Sequence, residues 1–165
     1  MKDLLEKIKH HEGYRKKTYK CTEGYDTIGI GFAWKDLEFD KELANKILQD
    51  NKHNIELSEE ICYKVLEEKI DAILGRLQKV APWVEESNKV IQMVIINMCY
   101  QMGVSGVMKF KKALKAMQDG NWEKAADEML DSKWARQTSD RAIELSNIVR
   151  SLHEKESSKK GNSNT

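Results

Sequence analysis

The chain has 165 residues, a third of them charged, and a formal net charge of +1. That length allows one domain or two small lobes around a buried core. The near-neutral balance excludes any global attraction to nucleic acid. The three cysteines, Cys21, Cys62 and Cys99, form an odd set without metal-type spacing, so free thiols are expected rather than a disulfide framework or a metal site. The first residues, Met1 to Lys7, carry charges where an export signal needs an apolar run. No window reads as long and apolar enough to span a membrane, so synthesis in a cytoplasm without membrane insertion is expected.

Leu4, Leu5 and Ile8 recur with helical period from Asp3 to Glu12, and Gly13 stands just past the end. Leu5, Ile8 and Glu12 share a face, so Glu12 closes an apolar stripe in the last turn. The negative end of the helix dipole and the apolar neighbours both disfavour a bare charge there, which suits a group that delivers a proton. A surface glutamate ending a helix is the plainer alternative. From Tyr14 to Trp34 the helical period disappears. Thr18 to Lys20 and Tyr25 to Ile28 read as strands, with Glu23-Gly24 turning between them. Gly29 and Gly31 cost stability in a strand unless backbone must approach something closely or form a bulge. No helix start follows this Gly-x-Gly, so it is not a dinucleotide fingerprint.

Asp40 can cap a short helix to Asp50, and 51–57 reads as a polar connection. Ser58-Glu59-Glu60 opens a long helix to Lys79, with Ile61, Val65, Ile70, Ile73, Leu74 and Leu77 as its stripe. Pro82 suits the first turn of the next helix. Ser87 opens the most apolar one, Val90 to Tyr100, closed by Gly103, with Val94, Ile95, Met98 and Met102 in a core. A helix from Gly106 to Met117 carries Lys109, Lys111, Lys112 and Lys115. Gly120-Asn121 separates it from a helix that buries Trp122, Ala125, Ala126, Met129 and Leu130. Ser132 to Gln137 forms a single turn. Thr138 or Ser139 caps the last helix, with Ala142, Leu145, Val149 and Leu152 inward. Ser157 to Thr165 are small and polar and are expected to be disordered. The fold class is α+β, mostly α. A small antiparallel sheet occupies an N-terminal lobe (13–58), a helix links (59–79), and a helical lobe follows (80–156, joined by helix 3–12). The groove between the lobes is the expected ligand site.

Glu12, then eight residues, Cys21, then five residues, and Thr27 inside Thr27-Ile28-Gly29-Ile30-Gly31 make a distinctive spacing. It resembles the catalytic signature of the T-even bacteriophage lysozymes, or endolysins. Ile96-Asn97-Met98, Gln101-Met102-Gly103, Trp134, Gln137-Thr138 and Arg141-Ala142 follow in that family's order. The resemblance runs to about residue 153 and implies a lysozyme-like two-lobed fold. It implies a muramidase that cuts the β-1,4 bond between N-acetylmuramic acid and N-acetylglucosamine of peptidoglycan with inversion. Glu12 would be the general acid, and Cys21 and Thr27 would position the attacking water. Glu23, Tyr25, Phe32, Gln101, Gln137 and Thr138 match positions that contact glycan or bridge the lobes, and Arg141 matches an arginine paired with the catalytic glutamate. The resemblance further implies a monomer without cofactor or metal, with no nucleic-acid partner, released from a host cytoplasm to the wall with help from a pore-forming holin. The lysines of 109–115 read first as a solvated face and second as a basic rim toward an anionic wall polymer.

The chain departs from the family in two places. Position 21 is more commonly Asp. A thiol with an ordinary pKa of about 8.5 is only slightly ionised at neutral pH. Cys21 is therefore a thiolate base with a lowered pKa, a nucleophile that forms a covalent intermediate, or a placeholder that leaves the water to Thr27. Asp26 is a poor substitute base, because it precedes Thr27 and faces the other side of the strand. The His usual after Thr-Ile-Gly-x-Gly is Phe32, and its Asp partner on the linking helix aligns with Lys69, so the family's ion pair is expected to be absent. These departures support the alternative of a non-catalytic or weakly active peptidoglycan-binding protein.

Overall fold

The computed structural model describes residues 1–21, 23–33 and 56–161. The helix expected between Asp40 and Asp50, and most of the connection after it, lie outside those residues. The chain divides into two compact units, Met1–Ala72 and Ile73–Thr165.

In the first unit, α1 (Lys2–Glu12) buries Leu4, Leu5 and Ile8, and the N–H of Gly13 ends it on the Lys9 carbonyl at 2.8 Å. The sheet is an antiparallel meander of β1 (Arg15–Lys20), β2 (Asp26–Gly29) and β3 (Phe32–Ala33). Tyr19 stands opposite Thr27 and Lys20 opposite Asp26, after an irregularity between Arg15 and Tyr19. Phe32 pairs with Ile28, and Ala33 with Thr27. Leu57 departs from the predicted polar connection, because it is only 1% exposed. Its N–H reaches the Lys16 carbonyl at 3.0 Å, Glu56 bridges to Lys17, and the Glu56 carboxylate meets Lys16 at 2.7 Å. Docking beside β1 satisfies the backbone of this short piece and lets its leucine turn inward.

The long helix, α2 (Glu59–Val80), begins where predicted, with Ser58 Oγ accepting the Ile61 N–H at 3.3 Å. Its buried face is Cys62, Val65, Leu66, Ile70 and Leu77, whereas Ile61 and Leu74 of the expected stripe are 36% and 37% exposed. The two stripes differ by a small rotation about the helix axis, and the pattern of apolar residues fits both.

In the second unit, α3 (Trp83–Glu86) starts after Pro82 at φ −57°. Ser87 closes α3 instead of opening the next helix, since its hydroxyl donates to the Val84 carbonyl at 2.7 Å. The cap of α4 (Lys89–Val107) is Asn88, whose Oδ1 accepts the Val90 N–H at 2.8 Å. Helical structure resumes beyond Gly103, which kinks the helix at φ +76°. By length and composition α4 would pass for a membrane span, with a mean hydropathy of 1.4, contrary to the reading that no such window exists. Ile91, Val94, Ile95, Ile96, Met98 and Cys99 are nonetheless buried within the protein.

A tight turn at Met108-Lys109 delays α5 to Lys111–Gln118. Asn121 caps α6 (Trp122–Leu130) through the Lys124 N–H at 3.2 Å, and Ser132 caps α7 (Lys133–Gln137) through the Ala135 N–H at 3.1 Å. The last helix, α8 (Ser139–Gly161), packs most extensively on α6, and also meets α7 and α4. It continues past Ser157, where disorder was expected. Ser158 accommodates the helix by donating its hydroxyl to the Glu154 carbonyl at 2.8 Å.

Candidate active site

Glu12 is the last residue of α1, and its side chain lies against the backbone of Gly31. A Cβ at Gly31 would stand 2.9 Å from Glu12 Oε2 and 3.3 Å from Glu12 Cβ. Gly31 also sits at φ +69°, where other L residues are strained. Gly29, at φ +67°, does for the core what Gly31 does for the acid: its Cβ would meet the Phe32 ring at 2.7 Å and Cys62 Sγ at 2.9 Å. One glycine of the motif thus faces the carboxylate and the other faces the core.

Cys21 follows β1. Its N–H donates to the Tyr25 carbonyl at 3.0 Å, and the Gly24 N–H returns to its own carbonyl at 2.9 Å. This loop leaves the half-exposed sulfur facing the backbone N–H groups of Tyr25 and Glu23 and the hydroxyl of Thr27. Desolvation pushes the thiol up and the Glu23 carboxylate adds to that, but the two N–H groups and the Thr27 hydroxyl outweigh them and hold it below its ordinary value. Thr27 itself is 4% exposed, and its Oγ1 lies 3.1 Å from the Tyr25 carbonyl, to which it donates.

Tyr19 of β1 feels the charge of both Glu12 and Cys21. It faces Thr27 across the ladder. Its phenol is held above the ordinary tyrosine range, first by burial, with Arg15 pulling it down and both Glu12 and Cys21 pushing it up. The Arg15 guanidinium stacks 5.1 Å from the centre of its ring. Glu12 and Cys21 therefore act on one phenol, with Thr27 opposite. Sequence reasoning missed Tyr19, because a tyrosine in a strand reads as an ordinary sheet former. Asp26 is engaged on Lys20 at 2.7 Å, as its position on the opposite face requires.

The remaining candidates lie in both units. Glu23 and Tyr25 are exposed on the loop that carries Cys21. Phe32, expected among the glycan-contacting positions, is instead fully buried at 0% exposure and has no surface to offer a substrate. Its place opposite Ile28 turns its ring inward against Gly29.

In the second unit, Trp134 gathers two candidates. Its Nε1 donates to Gln101 Oε1 at 2.7 Å, and the Thr138 hydroxyl donates to its carbonyl at 3.0 Å. Gln137 is exposed. Arg141 is 7% exposed and is fixed by Asn97. Nε and Nη2 donate to Asn97 Oδ1 at 2.9 and 2.8 Å, and Nη2 also reaches the Asn97 carbonyl at 3.2 Å. Sequence reasoning overlooked Asn97 as the anchor of Arg141, although an amide inside the most apolar helix was a signal. Among the described residues no group of three His, Cys, Asp or Glu side chains is placed to hold a metal ion.

The phage lysozyme family model matches residues 9–153, which include every residue of this site. The chain belongs to the phage lysozyme family. It is accordingly a glycoside hydrolase of the muramidase type. It is 29% identical over 160 residues to probable T4-type lysozyme 1 of Dictyostelium discoideum, covering 90% of this chain and 92% of that protein. It is 37% identical over 158 residues to the pre-baseplate central spike protein Gp5 of Enterobacteria phage T4, covering 88% of this chain but 27% of that longer protein. The endolysin of Bacillus phage B103 is 30% identical over 133 residues, which is 77% of this chain and 42% of the phage protein.

Proposed function

We propose that this family member hydrolyses the β-1,4 bond between N-acetylmuramic acid and N-acetylglucosamine in bacterial peptidoglycan with inversion at the anomeric carbon. The observation that supports the reading is Glu12 set against Gly31, with Cys21 facing the Thr27 hydroxyl of the same short motif. Glu12 donates its proton to the leaving oxygen as the bond from the anomeric carbon breaks. Water attacks that carbon from the opposite face and gives its proton to the Cys21 thiolate, and solvent exchange resets both groups.

A hydroxyl has one proton to donate. Thr27 gives it to the Tyr25 carbonyl while Cys21 is a thiol and can turn it to the sulfur once Cys21 is a thiolate. The lowered thiol value favours Cys21 as base over Cys21 as spectator. Release to the wall through a holin-type pore from a host cytoplasm belongs to the same proposal.

Turbidity clearing of purified wall by wild type, Glu12→Gln and Cys21→Ser, Ala and Asp tests it, with the product anomer read by NMR. Loss of clearing in Glu12→Gln and an inverted product are expected. Equal clearing by Glu12→Gln would overturn the acid assignment, and absence of clearing by wild type would favour a non-catalytic wall binder, for which the Cys at position 21 speaks. Full rate in Cys21→Ala would remove position 21 from the chemistry. A retained anomer would make the sulfur a nucleophile.

A further inference from the structure

Between α5 and α6 lies a hollow of about 350 Å³, open to solvent and lined chiefly by Lys111, Lys112, Lys115, Lys124, Asp119 and Asn121. None of these belongs to the cluster around Glu12. Lys111 and Lys115 are one turn apart on α5, as are Lys112 and Lys115, and Lys124 comes from the first turn of α6. Four ammonium groups thus meet one carboxylate, on a chain whose whole net charge is only +1. Lys115 is paired with Asp119 at 2.5 Å. Among the described residues Lys111, Lys112 and Lys124 have no carboxylate partner. The positive end of α6 adds to the same field.

The chemistry of the lining is specific. Ammonium groups bind phosphate oxygens as mobile point charges, their methylene stems give the walls an apolar surface for a carbon skeleton, and Asp119 and Asn121 offer hydrogen bonds to hydroxyls. The volume falls in the range of small-ligand sites, about 300–1,000 Å³, and suits one sugar- or polyol-phosphate unit.

We propose that this hollow binds the phosphodiester groups of an anionic sugar- or polyol-phosphate polymer of the bacterial wall, as a second, non-catalytic site. The wall as source of the polymer rests on the muramidase reading, whereas the anion chemistry stands without it.

The test uses the full chain and poly(glycerol phosphate) as probe, with affinity read by calorimetry against inorganic phosphate and a DNA duplex. The comparison variant is Lys111→Gln/Lys112→Gln/Lys124→Gln, whose three side chains are exposed. Wild type is expected to bind the polymer with an affinity that falls as salt rises and that drops about tenfold or more in the variant. Thermal unfolding and clearing of phosphate-free peptidoglycan should be unchanged in the variant. Equal affinity of the two proteins, absence of binding by wild type, or tighter binding of DNA than of the polymer would each overturn the proposal. Binding is read without turnover, so a wild type inactive on phosphate-free peptidoglycan overturns the muramidase reading, and the affinity comparison still decides this one.

Discussion

The ammonium of Lys69 lies over the ring of Phe32, 5.7 Å from its centre. The ring is fully buried between β2 and α2, and Lys69 is half-buried on α2. In place of the His–Asp ion pair usual in the resembled family, and expected to be absent here, this chain has a cation against an aromatic face. Lys69→Met keeps the stem and removes the charge. In urea unfolding, a cycle of Lys69→Met and Phe32→Leu is expected to give a coupling of about 0.5–1 kcal/mol. Additive costs would show that the pair is only adjacent.

Gly29 and Gly31 separate stability from activity. Ala at Gly31 places a methyl 2.9 Å from Glu12 Oε2, and Ala at Gly29 places one 2.7 Å from the Phe32 ring. Both substitutions carry the strain of positive φ, about 1–2 kcal/mol. Gly31→Ala should also move the carboxylate and lower the rate on peptidoglycan by about a hundredfold, given how steeply catalysis depends on placement. Gly29→Ala should lower the unfolding midpoint more and the rate of the remaining folded protein less. The reverse order, measured by kcat on folded protein and by urea midpoint, would contradict this assignment of the two glycines.

The motif was legible because its residue types and spacings are unusual in a chain of this composition. Glu12, Cys21, Thr27 and the two glycines could be read from the chain alone. Tyr19 could not, because its position opposite Thr27 depends on the irregularity after Arg15, which leaves no mark in sequence. Phe32 was misassigned because alignment carries a position but not its burial. Asn88 and Ser87 are adjacent, and both are good caps, so only the hydrogen bonds choose between them. Leu57 is buried through a long-range pairing with β1, beyond the reach of local pattern.

The three free thiols should differ sharply in reactivity. Cys21 is half-exposed and held below the ordinary thiol value, whereas Cys62 and Cys99 are buried. Titration of native protein with a chromogenic disulfide is expected to label Cys21 fast and the other two only on unfolding. Thr27→Val removes one of the groups that lower the thiol and should slow labelling of Cys21. The same lowered value should set the rising limb of the rate against pH, since a base acts only once ionised. Cys21→Asp should shift that limb toward acid.

Burial drives the Cys99 thiol up to about 12. Burial and Glu59 together take Cys62 to about 11, against the N–H of Ile30. In the unfolded chain both ionise near their ordinary value of about 8.5. Above that value the unfolded state has lost protons that the folded state keeps, so stability falls as pH rises. Their contribution is fully present below the unfolded value and is lost up to about 11 for Cys62 and about 12 for Cys99. Urea midpoints should decline across pH 9–11, and Cys62→Ala should be less stable at pH 7 but show a shallower decline. An unchanged slope would exclude Cys62 from this effect.

Arg141 depends on Asn97 for two hydrogen bonds to one oxygen. Asn97→Ala removes that oxygen, keeps the carbonyl that Nη2 also reaches, and should cost about 1–3 kcal/mol. Arg141→Lys should not rescue the geometry, because an ammonium cannot reproduce the planar fork. Equal midpoints for Arg141→Lys and wild type in chemical denaturation would refute this.

The kink at Gly103 limits how far the most apolar rod of the fold runs. The straight portion of α4 from Lys89 to Met102 extends about 21 Å at 1.5 Å per residue, well short of the roughly 30 Å of hydrocarbon in a bilayer. A sequence that looks greasy enough to dissolve in lipid is folded into a shorter rod whose Ile91, Val94, Ile95 and Met98 are spent on the protein's own interior.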